Sequence, residues 1–180
     1  MQSAVPDLQQ NFFQLFELPE HFRQDSARLD QQYHALQTQV HPDKFSHLAE
    51  PERRLSMQWA TRVNEGYQIL RSPIARARYL LALRGVDTQE ETNTAMPMDF
   101  LMAQMEWREA IEDARQSGDI GALDKLDARL KHETRTLQDL LAVKIDDEQG
   151  YAAAAEAVRK LKFLEKLAEE IASAFDEIDG

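Results

Sequence analysis

Apolar residues recur at helical spacing along most of the chain, and no segment shows the strict alternation of a half-buried strand. Leu29, Tyr33, Leu36 and Val40 share one face of a helix predicted over Ser26 to Val40, with Asp25 placed as its N-cap. Leu55, Trp59, Ala60, Val63, Tyr67 and Leu70 repeat the pattern over Pro51 to Leu70, and the short connection predicts that these two helices pair antiparallel. A further helix is expected from Ser72-Pro73, ending before Gly85, which suits a left-handed stop. Three longer patterns follow: Pro97 to Ser117 closed by Gly118, Ile120 to Ile145 behind an Asp119 cap, and Gln149 to Ile178. Short joints between them predict an antiparallel three-helix bundle. Val86 to Met96 carries no stripe. The expected fold is therefore all-α, with one domain at 1–84, a linker at 85–96 and a second domain at 97–180.

Between the first two long helices lies His41-Pro42-Asp43-Lys44-Phe45. Pro42 has no backbone N–H and disfavours helical geometry at His41, so the first helix has to stop near Val40. Pro51 suits the first turn of the next helix, which leaves Pro42 to Glu50 as an exposed link carrying an imidazole, a carboxylate and an ammonium. Taken alone, these groups fit either a docking loop or a turn closed by a hydrogen bond between His41 and Asp43.

The helix from Pro97 has two apolar sides. Phe100, Ala103, Trp107, Ala110, Ile111 and Ala114 form a stripe wide enough to face a bundle core. Met98, Leu101, Met102 and Met105 lie opposite, on a face that Glu109, Glu112 and Asp113 continue. Clustered Met and Leu suit an adaptable protein-binding surface. The alternative is that this side packs on the N-terminal domain or inside an irregular bundle. In the last helix Phe163 lies off the stripe of Leu161, Leu164, Ala168, Ile171 and Phe175, placing it to join that surface.

Composition narrows the function. The net charge of -11 is uneven, with 10 Lys+Arg against 9 Asp+Glu in residues 1–84 and 11 against 23 in residues 85–180. An acidic second half argues against nucleic-acid binding, which requires clustered cations to replace phosphate counterions. No apolar run is long enough to cross a bilayer, and the first residues lack the pattern of a leader, so no membrane partner and a cytoplasmic location are expected. The absence of cysteine removes thiolate ligation and disulfides. There is no Gly-rich phosphate loop. His132-Glu133 starts like a zinc-protease helix, but Thr136 occupies the place of its second histidine. His21, His34, His47 and His132 read as ordinary surface or boundary residues. No enzyme, metal site or cofactor is expected.

The order of motifs carries more than any one of them. Phe12-Phe13-x-Leu15-Phe16-x-Leu18-Pro19 precedes the loop, and Ala60-x-x-Val63-Asn64-x-Gly66-Tyr67-x-x-Leu70-x-x-Pro73-x-x-Arg76-Ala77-x-Tyr79-Leu80-Leu81 follows it. Near the end stands Arg159-Lys160-Leu161-x-Phe163-Leu164. Together they resemble a J domain, and more narrowly the HscB-type co-chaperones of iron–sulfur cluster assembly, over nearly the whole chain. The resemblance implies that His41, Pro42 and Asp43, with Lys44, Arg28 and Arg62 in support, contact an HscA-type seventy-kilodalton chaperone and stimulate its ATP hydrolysis. It also implies that Leu101, Met102, Met105, Glu106, Glu109, Asp113 and Phe163 hold an IscU-type iron–sulfur scaffold protein.

Three departures from the family pattern stand out. Gln31, Gln32, Gln37, Thr38 and Gln39 leave the usually basic second helix nearly uncharged. Val40 occupies a place often aromatic, and Gly66 one where alanine is usual and where glycine costs about 1 kcal/mol of helix propensity. These bear on partner affinity rather than on fold. Two other readings stay open at this level: a J protein for another client, and a helical adaptor without a chaperone role.

Overall fold

The computed structural model describes residues 8–90 and 96–180. Among them the regular elements are all helical: α1 Phe12–Leu15, α2 Ser26–Val40, α3 Glu50–Arg71, α4 Pro73–Leu83, α5 Met98–Ser117, α6 Ile120–Ala142 and α7 Tyr151–Asp179. The chain divides into two compact units, Met1–Leu80 and Leu81–Gly180.

In the first unit α2 starts where Asp25 accepts hydrogen bonds from the Ala27 and Arg28 N–H groups. It pairs antiparallel with α3, and a set of polar clips fixes the register. The Tyr33 and Tyr67 rings stack at 3.8 Å between centroids. Tyr67 donates to Asp30 at 2.7 Å, Tyr33 donates to Asn64 at 2.8 Å, and Ser56 donates to the Val40 carbonyl at 3.3 Å. That last pair places Leu55 beyond the end of α2. This explains why Leu55, expected on the core face, is exposed.

The aromatic segment around α1 fills the other side of α3. Phe12, Phe13, Leu15, Phe16, Leu18 and Phe22 are all buried. Asn11 forms a reciprocal capping box with Gln14, and the Phe12 N–H donates to the Tyr79 hydroxyl at 3.0 Å. Burial raises the Tyr79 pKa, which keeps that acceptor a neutral hydroxyl. A Cβ built on Gly66 would stand 2.7 Å from Phe12 Cδ1 and 3.0 Å from Phe16 Cε2. Glycine here is a condition of close packing, which offsets its helix-propensity cost. Arg76 joins α4 to this core through the Phe22 carbonyl at 2.7 Å and the Leu70 carbonyl at 2.6 Å.

In the second unit α5, α6 and α7 pack against one another around Trp107, Ile111, Leu130, Leu164, Leu167 and Ile171. A smaller cluster of Ala114, Leu123 and Ala174 closes one end. Gly118, at φ 65°, ends α5, and Asp119 accepts the Ala122 N–H at 3.0 Å to start α6. The helix expected to run to Ile145 instead widens into a π-turn over Val143–Asp147, which carries Ile145 into the core. On α7 Leu161, Leu164 and Ile171 of the expected stripe are buried and Phe175 packs against both core clusters, but Ala168 is exposed and Leu167 is buried, because the helix presents its broad side to both neighbours.

Of the stretch expected as a linker, residues 91–95 lie outside the described residues. Thr88, just before them, is buried, and Arg159 of α7 donates to its carbonyl at 3.0 Å. Arg159 thus ties the segment around Thr88 to α7.

Substituting Gly66→Ala gains about 1 kcal/mol of helix propensity and incurs about 1–3 kcal/mol of overpacking against two ordered rings. The net expectation is a loss of about 1 kcal/mol in the first unit, measured as a lower urea midpoint with an unchanged slope.

Candidate docking surfaces

Pro42 ends α2 as anticipated. His41 is extended at φ -61° and ψ 131°, and Pro42–Lys44 forms one turn of 3-10 helix closed by a 3.0 Å bond from the Lys44 N–H to the His41 carbonyl. The Asp43 N–H donates to His41 Nδ1 at 3.2 Å, which assigns the ring proton of the neutral imidazole to Nε2. The Asp43 carboxylate lies 3.5 Å from the same nitrogen. Imidazole and aspartate therefore do close the turn, but through the Asp43 backbone. The Asp43 side chain is 91% exposed and that of His41 58%. A carboxylate carried on a closed turn and turned to solvent suits an arginine partner.

Lys44 shares this tip and is exposed. Arg28 and Arg62, expected to assist it, sit elsewhere with internal partners. Arg28 lies in the first turn of α2, about 18 Å of helix from the loop, and donates to the Glu17 carbonyl at 3.3 Å. Arg62 donates to the Gln10 carbonyl and places its guanidinium 4.6 Å from the Phe12 ring centre. Both bind the N-terminal segment to the hairpin.

The second surface is the outer face of α5. At about 100° per residue, Leu101, Met105, Met98, Glu109, Met102, Asp113 and Glu106 fall in that order across one side, away from buried Trp107 and Ile111. Exposure follows: Met98 71%, Leu101 37%, Met102 57% and Met105 72%. Glu106, Glu109 and Asp113 are exposed as well. The apolar end of α5 grades into acid along one continuous face, and within the second unit none of the other helices covers it.

Phe163 is different. It is half-buried and packs against the core cluster. It meets Phe100 edge to face at 5.7 Å, and the Arg108 guanidinium lies 5.6 Å from its ring centre. Arg108 follows Leu101 by seven residues and so falls almost in line with it along α5. Phe163 thus borders the exposed face at its Leu101 edge and supports it from below. Lys160, part of the Arg159-Lys160-Leu161 motif but without a role assigned from it, has its ammonium 5.5 Å from the Phe100 ring centre, and Arg108 belongs to none of the motifs. A cation over a ring leaves no spacing signal when the ring is on another helix.

No group of His, Cys, Asp and Glu among the described residues is arranged to hold a metal ion. None of their helices is long and apolar enough to cross a membrane.

A paired hairpin tipped by His41-Pro42-Asp43, followed by a three-helix unit, defines a J-domain co-chaperone with a helical C-terminal domain. Residues 96–172 match the family model described as the HSCB C-terminal oligomerisation domain. The co-chaperone protein HscB homolog of Aromatoleum aromaticum is 55% identical over 173 residues, covering 96% of this chain and 98% of that relative. Its counterpart in Ralstonia nicotianae is 52% identical over 167 residues, covering 93% and 95%. Chaperone HscB from Vibrio cholerae has a similar structure, with a TM-score of 0.86, 37% identity, and coverage of 92% of this chain and 98% of that one. Human co-chaperone protein HscB superposes with a TM-score of 0.87 at 29% identity, over 93% and 83%. The chain belongs to the HscB co-chaperone family.

Truncating Phe163→Ala removes a ring that touches the core and is expected to cost about 2–3 kcal/mol of stability. Met105→Ala, on the exposed face, is expected to stay within about 0.5 kcal/mol of the parent. Thermal unfolding of both variants measures the difference; equal losses would mean that the Met face is buried in solution.

Proposed function

We propose that this protein stimulates ATP hydrolysis by an HscA-type seventy-kilodalton chaperone through His41, Pro42, Asp43 and Lys44, and brings an IscU-type iron–sulfur scaffold to that chaperone on the outer face of α5. The working division is a J domain at 1–84 and a scaffold-binding domain at 97–180, joined by 85–96, acting in the cytoplasm. The observation that carries the reading is the Asp43 carboxylate, 91% exposed at the tip of a hairpin whose shape is fixed without it. It accepts a charge-assisted bond from a partner arginine without leaving a buried group unpaired. Arg28 and Arg62 keep a supporting part, by fixing the N-terminal segment against α2 and α3.

On α5, Leu101, Met102 and Met105 supply the apolar contact, while Glu106, Glu109 and Asp113 set orientation by charge. Phe163 props the Leu101 edge. Carrying trigger and client on one chain raises the client's concentration at the chaperone, which is a gain by tethering. The chemistry takes place on the chaperone's nucleotide, and this chain makes or breaks no covalent bond.

Steady-state ATPase assays of the chaperone, with and without scaffold, test both parts. His41→Gln is expected to abolish stimulation and Asp43→Asn to reduce it at least tenfold, with the fold unchanged. The triple variant Leu101→Ala, Met102→Ala, Met105→Ala is expected to keep stimulation in the absence of scaffold and to weaken scaffold binding about a hundredfold, as loss of a hot-spot cluster does. Joint loss of both activities in a folded variant would refute the division. Scaffold-independent dimerisation, lost in the triple variant, would instead assign the α5 face to a second copy of the chain.

A further inference from the structure

The methionines of this chain are unusually placed. Four of the six fall between residues 96 and 105, and the chain has no cysteine. Met98, Met102 and Met105 follow one another at spacings of four and three, so their thioethers share one side of α5. Each is more than half exposed, at 71%, 57% and 72%. A leucine face would bury as much apolar area on a partner. What methionine adds is a sulfur that accepts oxygen.

We propose that Met98, Met102 and Met105 form a reversible oxidation site, at which conversion to methionine sulfoxide by hydroperoxides releases the partner held on α5. The inference rests on the scaffold-docking reading of that face. In the forward step the thioether lone pair attacks one oxygen of hydrogen peroxide. An S–O bond forms as the O–O bond breaks, sulfur gives up two electrons, and the departing hydroxide takes the remaining proton to become water. In the reverse step a dithiol supplies two electrons and two protons through the methionine sulfoxide reductases, and the oxygen leaves as water.

The product changes the face more than its size suggests. Each sulfoxide places a strong hydrogen-bond acceptor where the free surface offers a weakly polar sulfur, and a docked partner would have to desolvate it. The face already carries Glu106, Glu109 and Asp113, acceptors that offer a sulfoxide oxygen no donor; Arg108, at the Leu101 edge, is a donor on this side of the helix and lies over the Phe163 ring. Because the sulfurs project away from the core cluster of Trp107, Ile111 and Leu130, their oxidation leaves the bundle folded. Sensitivity is confined to binding. Met57 is the internal contrast: 62% exposed, on α3, and in the other unit.

The test treats this protein alone with hydrogen peroxide, removes the peroxide with catalase, maps sulfoxides by peptide mass spectrometry, and then titrates the untreated scaffold protein. Oxidation at Met98, Met102 and Met105 is expected to weaken binding at least tenfold, with unchanged helical circular dichroism and unchanged stimulation of the chaperone in the absence of scaffold. Methionine sulfoxide reductases A and B with dithiothreitol restore the affinity. The Met57→Leu protein loses binding on oxidation as the parent does. In the triple variant Met98→Leu, Met102→Leu, Met105→Leu, the ratio of affinities before and after peroxide stays within about twofold, whatever its starting value. Undiminished binding by the fully oxidised parent overturns the proposal and leaves the docking reading standing. Loss of binding accompanied by unfolding overturns it as well, since the site would then be a stability lesion. Absence of binding by the untreated parent overturns both.

Discussion

The first unit depends on a bare stretch of backbone. At Gly66 the α3 helix offers no side chain to the Phe12 and Phe16 rings, and both rings settle where a methyl group would stand 2.7 to 3.0 Å away. Much else follows from that approach. Phe12 meets Tyr79, Arg62 covers the Phe12 ring, and the N-terminal segment lies close enough for Arg28 to reach the Glu17 carbonyl. The hairpin of α2 and α3 is therefore supported from its far end, leaving its tip free of structural duty apart from its own turn.

Freedom at the tip is what gives His41-Pro42-Asp43 its character. The turn closes through the Asp43 N–H and His41 Nδ1, a bond that any residue with a backbone amide could supply at position 43. The carboxylate is thus spare in the structural sense. The same logic runs through the second unit, where α5 spends one face on Trp107, Ile111 and Ala114 and carries a second apolar face that the bundle does not require. The Asp43 carboxylate and the Met98, Met102 and Met105 side chains are groups whose removal leaves the core intact.

Much of this was legible from the chain itself. Capping residues and prolines marked helix starts within about one or two residues, because Asp25, Ser72, Pro73 and Asp119 act on the backbone next to them. Periodicity separated the two faces of α5 for the same reason: one helix has one geometry. What periodicity does not encode is which neighbour lies across the gap. Leu55 reads as core until the end of α2 is located opposite Ser56, and Ala168 reads as core until α7 is shown to serve two partners at once. Arg28, Arg62 and Arg159 are a further case, since a guanidinium looks the same in sequence whether it awaits a partner or binds a carbonyl of its own chain. The family pattern supplied the order of motifs, and the structure shows which of these guanidinium groups bind carbonyls of their own chain.

Phe163 shows why that division has to be argued residue by residue. From its position off the α7 stripe it belongs with the exposed face; by contact it belongs with Phe100, Arg108 and the core. A ring at such a border couples stability to recognition, so a loss of binding after its removal does not by itself identify a contact with the partner. The methionines beyond it carry no such ambiguity. Exposed, unbranched and held only by their helix, they contribute little to folding, and a change in their chemistry acts on whatever docks there. The α5 face is therefore graded from a structural edge at Phe163, through Leu101, to a purely external strip at Met98 and Met105. On the docking reading proposed above, a partner would meet a rigid aromatic edge at Phe163 and an adaptable strip at the methionine sulfurs.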